Sequence, residues 1–214
     1  MNFFGAVNRL FFVSILFLIS GYALAGDDVP LNANDISPLL VGETIPDVTL
    51  QNIEGKAVKL QAAVSKQPTL IIFYRGSWCP YCNTHLGELA KLEPELIKMG
   101  IQILAISPDK PKYLQEAIDK NDLKYTLLSD SKAIAIKAFG LAFKLDSDTV
   151  KKYKEWGIDL EKQSGESHFI LPVPAAYLVK PDGQITFSFT APNYKIRVNG
   201  DVLMAAARQL VDSK

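Results

Sequence analysis

The chain has 214 residues, with 23 basic and 23 acidic side chains, and 48% of its residues are hydrophobic. A formal net charge of zero excludes the strongly basic character expected of a protein that binds nucleic acid or an anionic membrane surface. This length accommodates one domain with a full hydrophobic core, and no repeat or low-complexity tract divides the chain.

The first 25 residues have the pattern of a secretory signal peptide. Arg9 precedes an apolar run over residues 10–19, and Ala23 and Ala25 supply the small residues expected before a cleavage site. Serine and glycine interrupt the apolar stretch, so an uncleaved membrane anchor is the less favoured alternative. We therefore expect cleavage after Ala25, a periplasmic or extracellular protein, and no stable membrane insertion after cleavage.

The elements that follow predict an α/β domain over residues 42–214, preceded by a loose lead-in over residues 26–41. A β-hairpin is predicted at its start, and a continuous apolar run of strand length predicts a strand that is buried on both faces. Helices and strands then alternate, as in a parallel crossover. The predicted strands up to this point are 48–51, 57–60, 69–74, 101–107 and 125–128. The predicted helices are one that begins at the cysteines and one over residues 111–120.

The remainder of the chain predicts an insertion and a closing hairpin. The insertion, residues 143–171, suggests one amphipathic helix and a polar stretch that ends at His168, a candidate acid or base that is more often a packing residue. Two antiparallel strands are predicted around the Pro-Asp-Gly turn at 181–183, and a last helix is capped by Asn199 or Asp201. Pro94 predicts a kink or break in the helix that follows the cysteines. The two predicted strands span 175–180 and 184–189, and the last helix spans 201–211.

Cys79 and Cys82 are the only cysteines, and they form a C-x-x-C motif directly after the buried strand. At the start of a helix, the first thiol lies near unpaired backbone N–H groups that favour its thiolate. The second thiol lies one turn further on, where it can resolve a mixed disulfide or a sulfenic acid. The spacing therefore predicts a redox-active disulfide. Helix position favours Cys79 as the nucleophile, with Cys82 deeper and less accessible.

Two other interpretations of this pair are a structural disulfide and part of a zinc site. A disulfide that closes so short a loop removes little entropy from the unfolded chain. Zinc normally takes four nitrogen or sulfur ligands, and the sequence adds only His85 and His168 to the two cysteines. We expect redox chemistry with no metal and no cofactor.

The ordered motifs resemble the peroxiredoxin-like proteins of the alkyl hydroperoxide reductase and thiol-specific antioxidant group, in the thioredoxin-fold superfamily. The motifs are Phe73-Tyr-Arg-Gly-Ser-Trp-Cys-Pro-Tyr-Cys82, Ala105-Ile-Ser-Pro108, Leu128-Ser-Asp130, Phe139-Gly-Leu141 and Pro174-Ala-Ala-Tyr-Leu-Val-Lys-Pro-Asp-Gly183. The resemblance implies a thioredoxin-like fold, with a central mixed sheet, helices on both faces and an N-terminal β-hairpin extension. It also implies a thiol peroxidase that an external dithiol reduces, such as a thioredoxin-like protein.

The chain departs from the family at the reactive centre. The family pattern places Cys82 at the peroxidatic position, Cys79 where threonine is expected and Arg75 where proline is expected. The family's distant arginine falls on Pro174. Arg75 either restores a cation near the thiolate or is a solvated loop charge.

Three further residues are candidates for supporting the site. The resemblance to thioredoxin-like proteins implies that Pro174 is a cis proline packed opposite the cysteines, where it receives an extended substrate chain. Trp78 and Tyr81 flank Cys79, and they form an apolar rim for a docked disulfide or serve plain packing.

Three functions therefore remain open. The family resemblance favours peroxide as the substrate, whereas the cysteine and proline replacements favour exchange with protein disulfides. A binding module that turns nothing over is the third possibility. An exported thiol oxidoreductase with peroxide reduction as its main activity is the function we predict.

Overall fold

The computed structural model of the chain describes residues 29–212. The predicted signal peptide lies outside these residues, as does the beginning of the lead-in. The strands are β1 Thr49–Gln51, β2 Ala57–Lys59, β3 Thr69–Phe73, β4 Gln102–Ser107, β5 Thr126–Ser129, β6 Ala142–Lys144, β7 Ile170–Pro172, β8 Ala175–Val179 and β9 Ile185–Thr190. The helices are α1 Leu60–Val64, α2 Pro80–Lys98, α3 Pro111–Asn121, α4 Ile134–Ala138, α5 Ser147–Glu155, α6 Leu160–Ser164 and α7 Gly200–Asp212. None of these helices is long and apolar enough to cross a bilayer.

Seven strands form one mixed sheet in the order β2-β1-β5-β4-β3-β8-β9, and β6 pairs with β7 separately. The central strands β3, β4 and β5 are parallel, while β8 and β9 are antiparallel. Every residue of β3 is buried, as its apolar run predicts, because helices cover both faces of the sheet. Side chains of α2, α3 and α7 pack on one face, and those of α1 and α4 pack on the other. The predicted α/β architecture and its N-terminal hairpin are confirmed.

The described part of the lead-in is packed against the domain, so the expectation of a loose segment is wrong there. Val29, Ile36 and Leu39 contact the core cluster under the sheet. The Leu39 N–H donates to the Phe139 carbonyl at 3.2 Å. Apolar side chains between the polar residues anchor this segment, although its composition is that of a loop.

Pro94 neither breaks α2 nor ends it, so the alternative of a break at this proline is wrong. The helix runs from Pro80 to Lys98 with Pro94 inside it. Pro94 itself is exposed, whereas Leu89 before it and Leu96 after it are buried in the core. Burial of such leucines stabilises the fold by roughly 1.5–3 kcal/mol each, which offsets the hydrogen bond that proline cannot make.

The insertion contains more structure than the single predicted helix. Two helices, α5 and α6, and the β6-β7 pair surround a small core formed by Leu145, Leu160 and Leu171. Asp146 and Asp159 cap the two helices, since each side chain accepts a backbone N–H of the first turn. The insertion is therefore a small layer of its own, and Trp78 joins it to the site.

Candidate active site

Cys79 and Cys82 lie where β3 ends and α2 begins, as the motif predicts. Cys79 is the N-cap of α2, with an extended backbone (φ −88°, ψ 115°), and Pro80 is the first helical residue. The Cys79 carbonyl accepts the N–H groups of Cys82 and Asn83, both at 3.1 Å. Cys79 thus lies at the positive end of the α2 dipole, and this position together with the Cys82 N–H favours a negative charge on its sulfur.

The two side chains form a coupled pair. Both are free thiols, the residues approach within 3.0 Å, and the Cys82 thiol donates a hydrogen bond to the Cys79 sulfur. That bond, the Cys82 N–H and the charges of Arg75 and Arg197 outweigh the effect of burial and lower the pKa of Cys79 to about 6. Burial raises the pKa of Cys82 well above its usual value. Near neutral pH the pair therefore holds one negative charge, mainly on Cys79.

Cys82 lies deeper than Cys79, in the predicted order, but neither thiol is open to solvent. Cys79 is 1% exposed and Cys82 is 0% exposed. Trp78 and Val198 pack in the same cluster as the cysteines, and the loop between β9 and α7 crosses over Cys82. The two thiols therefore differ in ionisation and scarcely in exposure.

Arg197 is a site residue that the sequence reasoning missed. Its Nη2 donates to the Cys82 sulfur at 3.3 Å, and its Nη1 donates to the Ile196 carbonyl at 2.7 Å. Thr190, at the end of β9, pairs with Ala175, which itself pairs with Phe73 at the end of β3. This strand pairing brings the residues that follow the predicted strand 184–189 near the end of β3, so the pairing could have placed a cation from that segment near the cysteines. Arg197 thus places a cation beside Cys82, whereas Pro174 stands at the position where the family pattern has an arginine.

Arg75 is buried, at 3% exposure, so its interpretation as a solvated loop charge is wrong. Its guanidinium lies over the rings of Trp78, Tyr153 and Tyr194, with the centroid of Tyr194 at 4.2 Å. Its Nη2 donates to the hydroxyl of Tyr153, which comes from the insertion. We call this arrangement the arginine cage. Cation–π contacts and the tyrosine hydroxyl hold the charge beside Cys79, whose pKa it lowers.

Trp78 and Tyr81, the two predicted rim residues, have different environments. Trp78 is partly buried and packs edge to face against Tyr153, with ring centroids 5.7 Å apart. Tyr81 is 41% exposed, and its ring meets that of Tyr194 at 5.7 Å. The exposed rim above the cysteines is therefore formed by Tyr81 and Tyr194, and Trp78 belongs to the packing beneath it.

The predicted cis bond before Pro174 is absent, since residues 29–212 contain no cis peptide bond. The chain passes directly from β7 into β8 through Val173 and Pro174. Val173 N–H donates to the Leu141 carbonyl at 2.9 Å, and the Pro174 carbonyl accepts the Ala191 N–H at 3.2 Å. Sheet-like pairing on both sides of the proline fits an extended trans linkage. Pro174 still lies at the same sheet edge as the end of β3.

The two histidines have different environments. The ring of His168 accepts the Ile170 N–H at Nδ1 and lies 2.8 Å from the Ser131 carbonyl at Nε2, so both nitrogens have backbone partners. His85 is buried, and burial together with Arg197 lowers its pKa to about 4. Within residues 29–212, no three His, Cys, Asp or Glu side chains are grouped to hold a metal ion.

Asp109 is a second residue that sequence reasoning missed. It follows β4 and is 1% exposed, and its Oδ2 accepts the Ser77 N–H at 2.6 Å. Burial raises the pKa of Asp109 to about 7. Gly76 permits this approach, because its φ is +148° and a Cβ there would lie 2.3 Å from Trp78 Nε1 and 2.9 Å from Asp109 Oδ1. Asp109 thus fixes the loop that carries the cysteines.

Comparison with solved structures identifies the fold. Reduced Prx3 from Vibrio vulnificus, in complex with hydrogen peroxide, superposes with a TM-score of 0.65, covers 79% of this chain and 99% of its own, and is 17% identical. At this identity the match defines the fold alone. The chain is a thioredoxin-fold protein of peroxiredoxin-like architecture, as its motifs indicate.

Sequence comparison identifies the family. Residues 41–188 match the model of the AhpC/TSA family. A 1-Cys peroxiredoxin of Medicago truncatula is 30% identical over 172 residues, which is 77% of this chain and 70% of the relative. A putative peroxiredoxin bcp of Haemophilus influenzae is 39% identical over 106 residues, which is 50% of this chain and 68% of the relative. The chain therefore belongs to the AhpC/TSA family and is an enzyme of the thiol peroxidase type.

Proposed function

We propose that the protein reduces hydroperoxides through the Cys79–Cys82 pair, with Cys79 as the nucleophile. The observation that carries this proposal is the charge arrangement at the pair. Cys79 combines the helix N-cap position, the hydrogen bond from Cys82 and the nearby charge of Arg75. Peroxide is small enough to react at a buried thiolate, and the thiolate form is the reactive one.

The reaction has three steps that balance. The Cys79 thiolate attacks one oxygen of the hydroperoxide, the O–O bond breaks, and the alcohol or water leaves after protonation. This gives a sulfenic acid on Cys79, which the Cys82 thiol attacks, so that water leaves and a disulfide forms. An external dithiol then returns two electrons and two protons to the pair. We propose a thioredoxin-like protein as one such reductant.

The assignment of the nucleophile is tested by two single variants. Cys79→Ser and Cys82→Ser are treated separately with hydrogen peroxide and a reagent that traps sulfenic acids, followed by mass spectrometry. We expect the trapped adduct on Cys79, in the Cys82→Ser protein. An adduct on Cys82 alone would overturn this assignment and support the alignment that places Cys82 at the family's peroxidatic position.

Exchange with protein disulfides is the second candidate function. The exposed pair of Tyr81 and Tyr194 favours it, because such a rim can receive an extended chain. Reduction of insulin disulfides by the reduced protein, compared with its turnover of hydrogen peroxide, separates the two activities. Fast insulin reduction together with a peroxide rate no higher than that of a free thiol would favour exchange.

We also propose that the protein is exported and acts in the periplasm or outside the cell. The support is the signal pattern of residues 1–25 described above. Cell fractionation and N-terminal sequencing of the isolated protein test this proposal. A mature N-terminus at Gly26 is expected, whereas an intact N-terminus in the cytosolic fraction would contradict it.

A further inference from the structure

The arginine cage and Tyr81 form one continuous layer of rings outside the cysteine pair, which we call the aromatic wall. Trp78 and Tyr153 pack edge to face, with ring centroids 5.7 Å apart. Tyr81 and Tyr194 pack in the same way at the same distance. The guanidinium of Arg75 joins the two ring pairs, because it lies 5.7 Å from the Tyr153 centroid and 4.2 Å from the Tyr194 centroid. The insertion and the loop between β9 and α7 thus close the site together.

The aromatic wall leaves little free space at the two thiols. Cys79 and Cys82 are 1% and 0% exposed, and Arg75 is 3% exposed. Trp78 packs both in the cluster that contains the cysteines and against the small core of the insertion. Protein interiors that are packed in this way have few voids larger than a water molecule. A molecule that reaches the Cys79 sulfur must therefore be nearly that small, or it must displace a ring.

The direction of attack makes the substituent of a hydroperoxide important. The thiolate attacks one peroxide oxygen along the axis of the O–O bond, so the second oxygen and its substituent lie on the side away from the sulfur. In hydrogen peroxide this substituent is a hydrogen atom, whereas in an alkyl or aryl hydroperoxide it is a carbon group that extends into the space of the rings. A branched group can enter only if Tyr194 leaves its contacts with Arg75 and Tyr81.

The polarity inside the aromatic wall also favours a small polar substrate. The Nε of Arg75 is buried and has no hydrogen-bond partner within residues 29–212. A peroxide oxygen can accept from this donor, whereas a hydrocarbon group that fills the same space cannot. A buried donor that stays unpaired is unfavourable, so a bulky apolar substituent adds an energetic cost to the steric one.

We propose that the aromatic wall restricts the enzyme to hydrogen peroxide and comparably small hydroperoxides, and that Tyr194 excludes hydroperoxides with branched alkyl or aryl groups. This inference rests on the proposed peroxidase function and names its substrate class. The chemical step is the same for every substrate: the Cys79 thiolate takes one oxygen, the O–O bond breaks, and the other oxygen leaves as water or an alcohol after protonation. The insertion contributes through Tyr153, whose ring and hydroxyl hold Arg75 in place.

The test compares the single-turnover oxidation of the reduced protein by hydrogen peroxide and by cumene hydroperoxide, with free cysteine as the reference. Thiol trapping and intact mass give the two rate constants, and their ratio is the readout. A change in the thiolate fraction of Cys79 affects both rates equally, so it cancels in the ratio. We expect the ratio to exceed that of free cysteine by about tenfold or more, because moving Tyr194 gives up a cation–π contact and a ring pair.

Three variants locate the source of the selectivity. Tyr194→Ala opens the aromatic wall on an exposed loop, and it should lower the ratio about tenfold toward that of free cysteine. Tyr194→Phe retains the ring, so it should retain the parent ratio. Trp156→Ala is the matched control, since Trp156 stacks on Tyr153 from the same insertion but is 65% exposed, and it should leave the ratio unchanged.

A parent ratio equal to that of free cysteine would overturn the inference. So would a ratio that Tyr194→Ala leaves unchanged, or one that Trp156→Ala lowers by the same factor. The same data separate the inference from the proposed function. Rapid oxidation by both peroxides would contradict the inference alone, whereas oxidation by hydrogen peroxide at the rate of a free thiol would contradict the peroxidase proposal, and the ratio would still decide whether the wall excludes the larger reagent.

Discussion

Replacement of Arg197 by methionine removes a positive charge 3.3 Å from the Cys82 sulfur while it keeps a similar apolar stem. The ionised sulfur is mainly that of Cys79, so Arg197 acts on it across the Cys82 side chain, and its charge is the smallest of the named effects on the pKa of Cys79. Arg197 is also partly exposed, which screens its charge. We expect the pKa of Cys79 to rise by about 1 unit.

The consequence for reactivity follows from the thiolate fraction. With a pKa of about 6, roughly nine-tenths of the pairs are ionised at about pH 7, and a rise of about 1 unit leaves roughly half. The oxidation rate by hydrogen peroxide should therefore fall about twofold near neutral pH and recover at alkaline pH.

Ultraviolet absorbance of the thiolate against pH gives the pKa, and stopped-flow mixing gives the rate across the same range. Arg208→Met is the matched control, since Arg208 pairs with Glu95 on an exposed surface, and it should reproduce the parent curves. A lower pKa for the pair that is unchanged to within a few tenths of a unit in Arg197→Met would refute the role of this guanidinium.

Three further predictions concern the support of the site. Because burial raises the pKa of Asp109 from 3.8 to about 7, the native state holds its proton more tightly than the unfolded chain does, and this contribution to stability is lost as pH rises from about 4 to about 7. Asp109→Asn should abolish that loss. Measured by urea titration, the unfolding free energy of the variant should therefore rise relative to that of the parent between about pH 4 and about pH 7, by an amount on the order of 4 kcal/mol. Parallel plots of unfolding free energy against pH for the two proteins would contradict the assignment. Gly76→Ala should lower the unfolding free energy by about 3 kcal/mol or more, because the added methyl group would clash with Trp78 and Asp109. Gly55→Ala is the control: Gly55 also has a positive φ but lies in open space, and its loss should be about 1 kcal/mol. Equal losses would refute the crowding at Gly76. Tyr153→Phe removes the hydroxyl that accepts from Arg75 and should lower the unfolding free energy by about 1–3 kcal/mol; unchanged stability by the same assay would mean that the ring alone holds the guanidinium.

The sequence predicts the sheet well because each of its strands has a strong local pattern. The run at β3 is apolar throughout and buried throughout, and the Pro-Asp-Gly turn joins β8 to β9 as expected. A break at Pro94 is not observed, although the local cost of a proline in a helix favours one. Buried leucines on both sides of Pro94 stabilise the continuous helix through contacts with the rest of the core. Local propensity cannot weigh that tertiary contribution.

The site could be predicted only in part, for a different physical reason. Cys79 and Cys82 are three positions apart in the chain, so their spacing is sufficient to identify them as a pair. Arg197 lies 115 positions from Cys82, and Tyr153 lies 78 positions from Arg75, so neither contact has a local signal. Both depend on sheet topology and on the packing of the insertion, which only a three-dimensional arrangement defines.

The most direct test of the account is a single-turnover reaction of the fully reduced protein with one equivalent of hydrogen peroxide, followed by stopped-flow tryptophan fluorescence and by intact mass. Trp78 adjoins Cys79, so oxidation of the pair should change the fluorescence. We expect oxidation much faster than that of a free thiol at the same pH, together with loss of two hydrogens from the monomer as the Cys79–Cys82 disulfide forms. Oxidation at the free-thiol rate, or a product confined to sulfinic acid or intermolecular dimers, would contradict the claim that this pair is a thiol peroxidase centre.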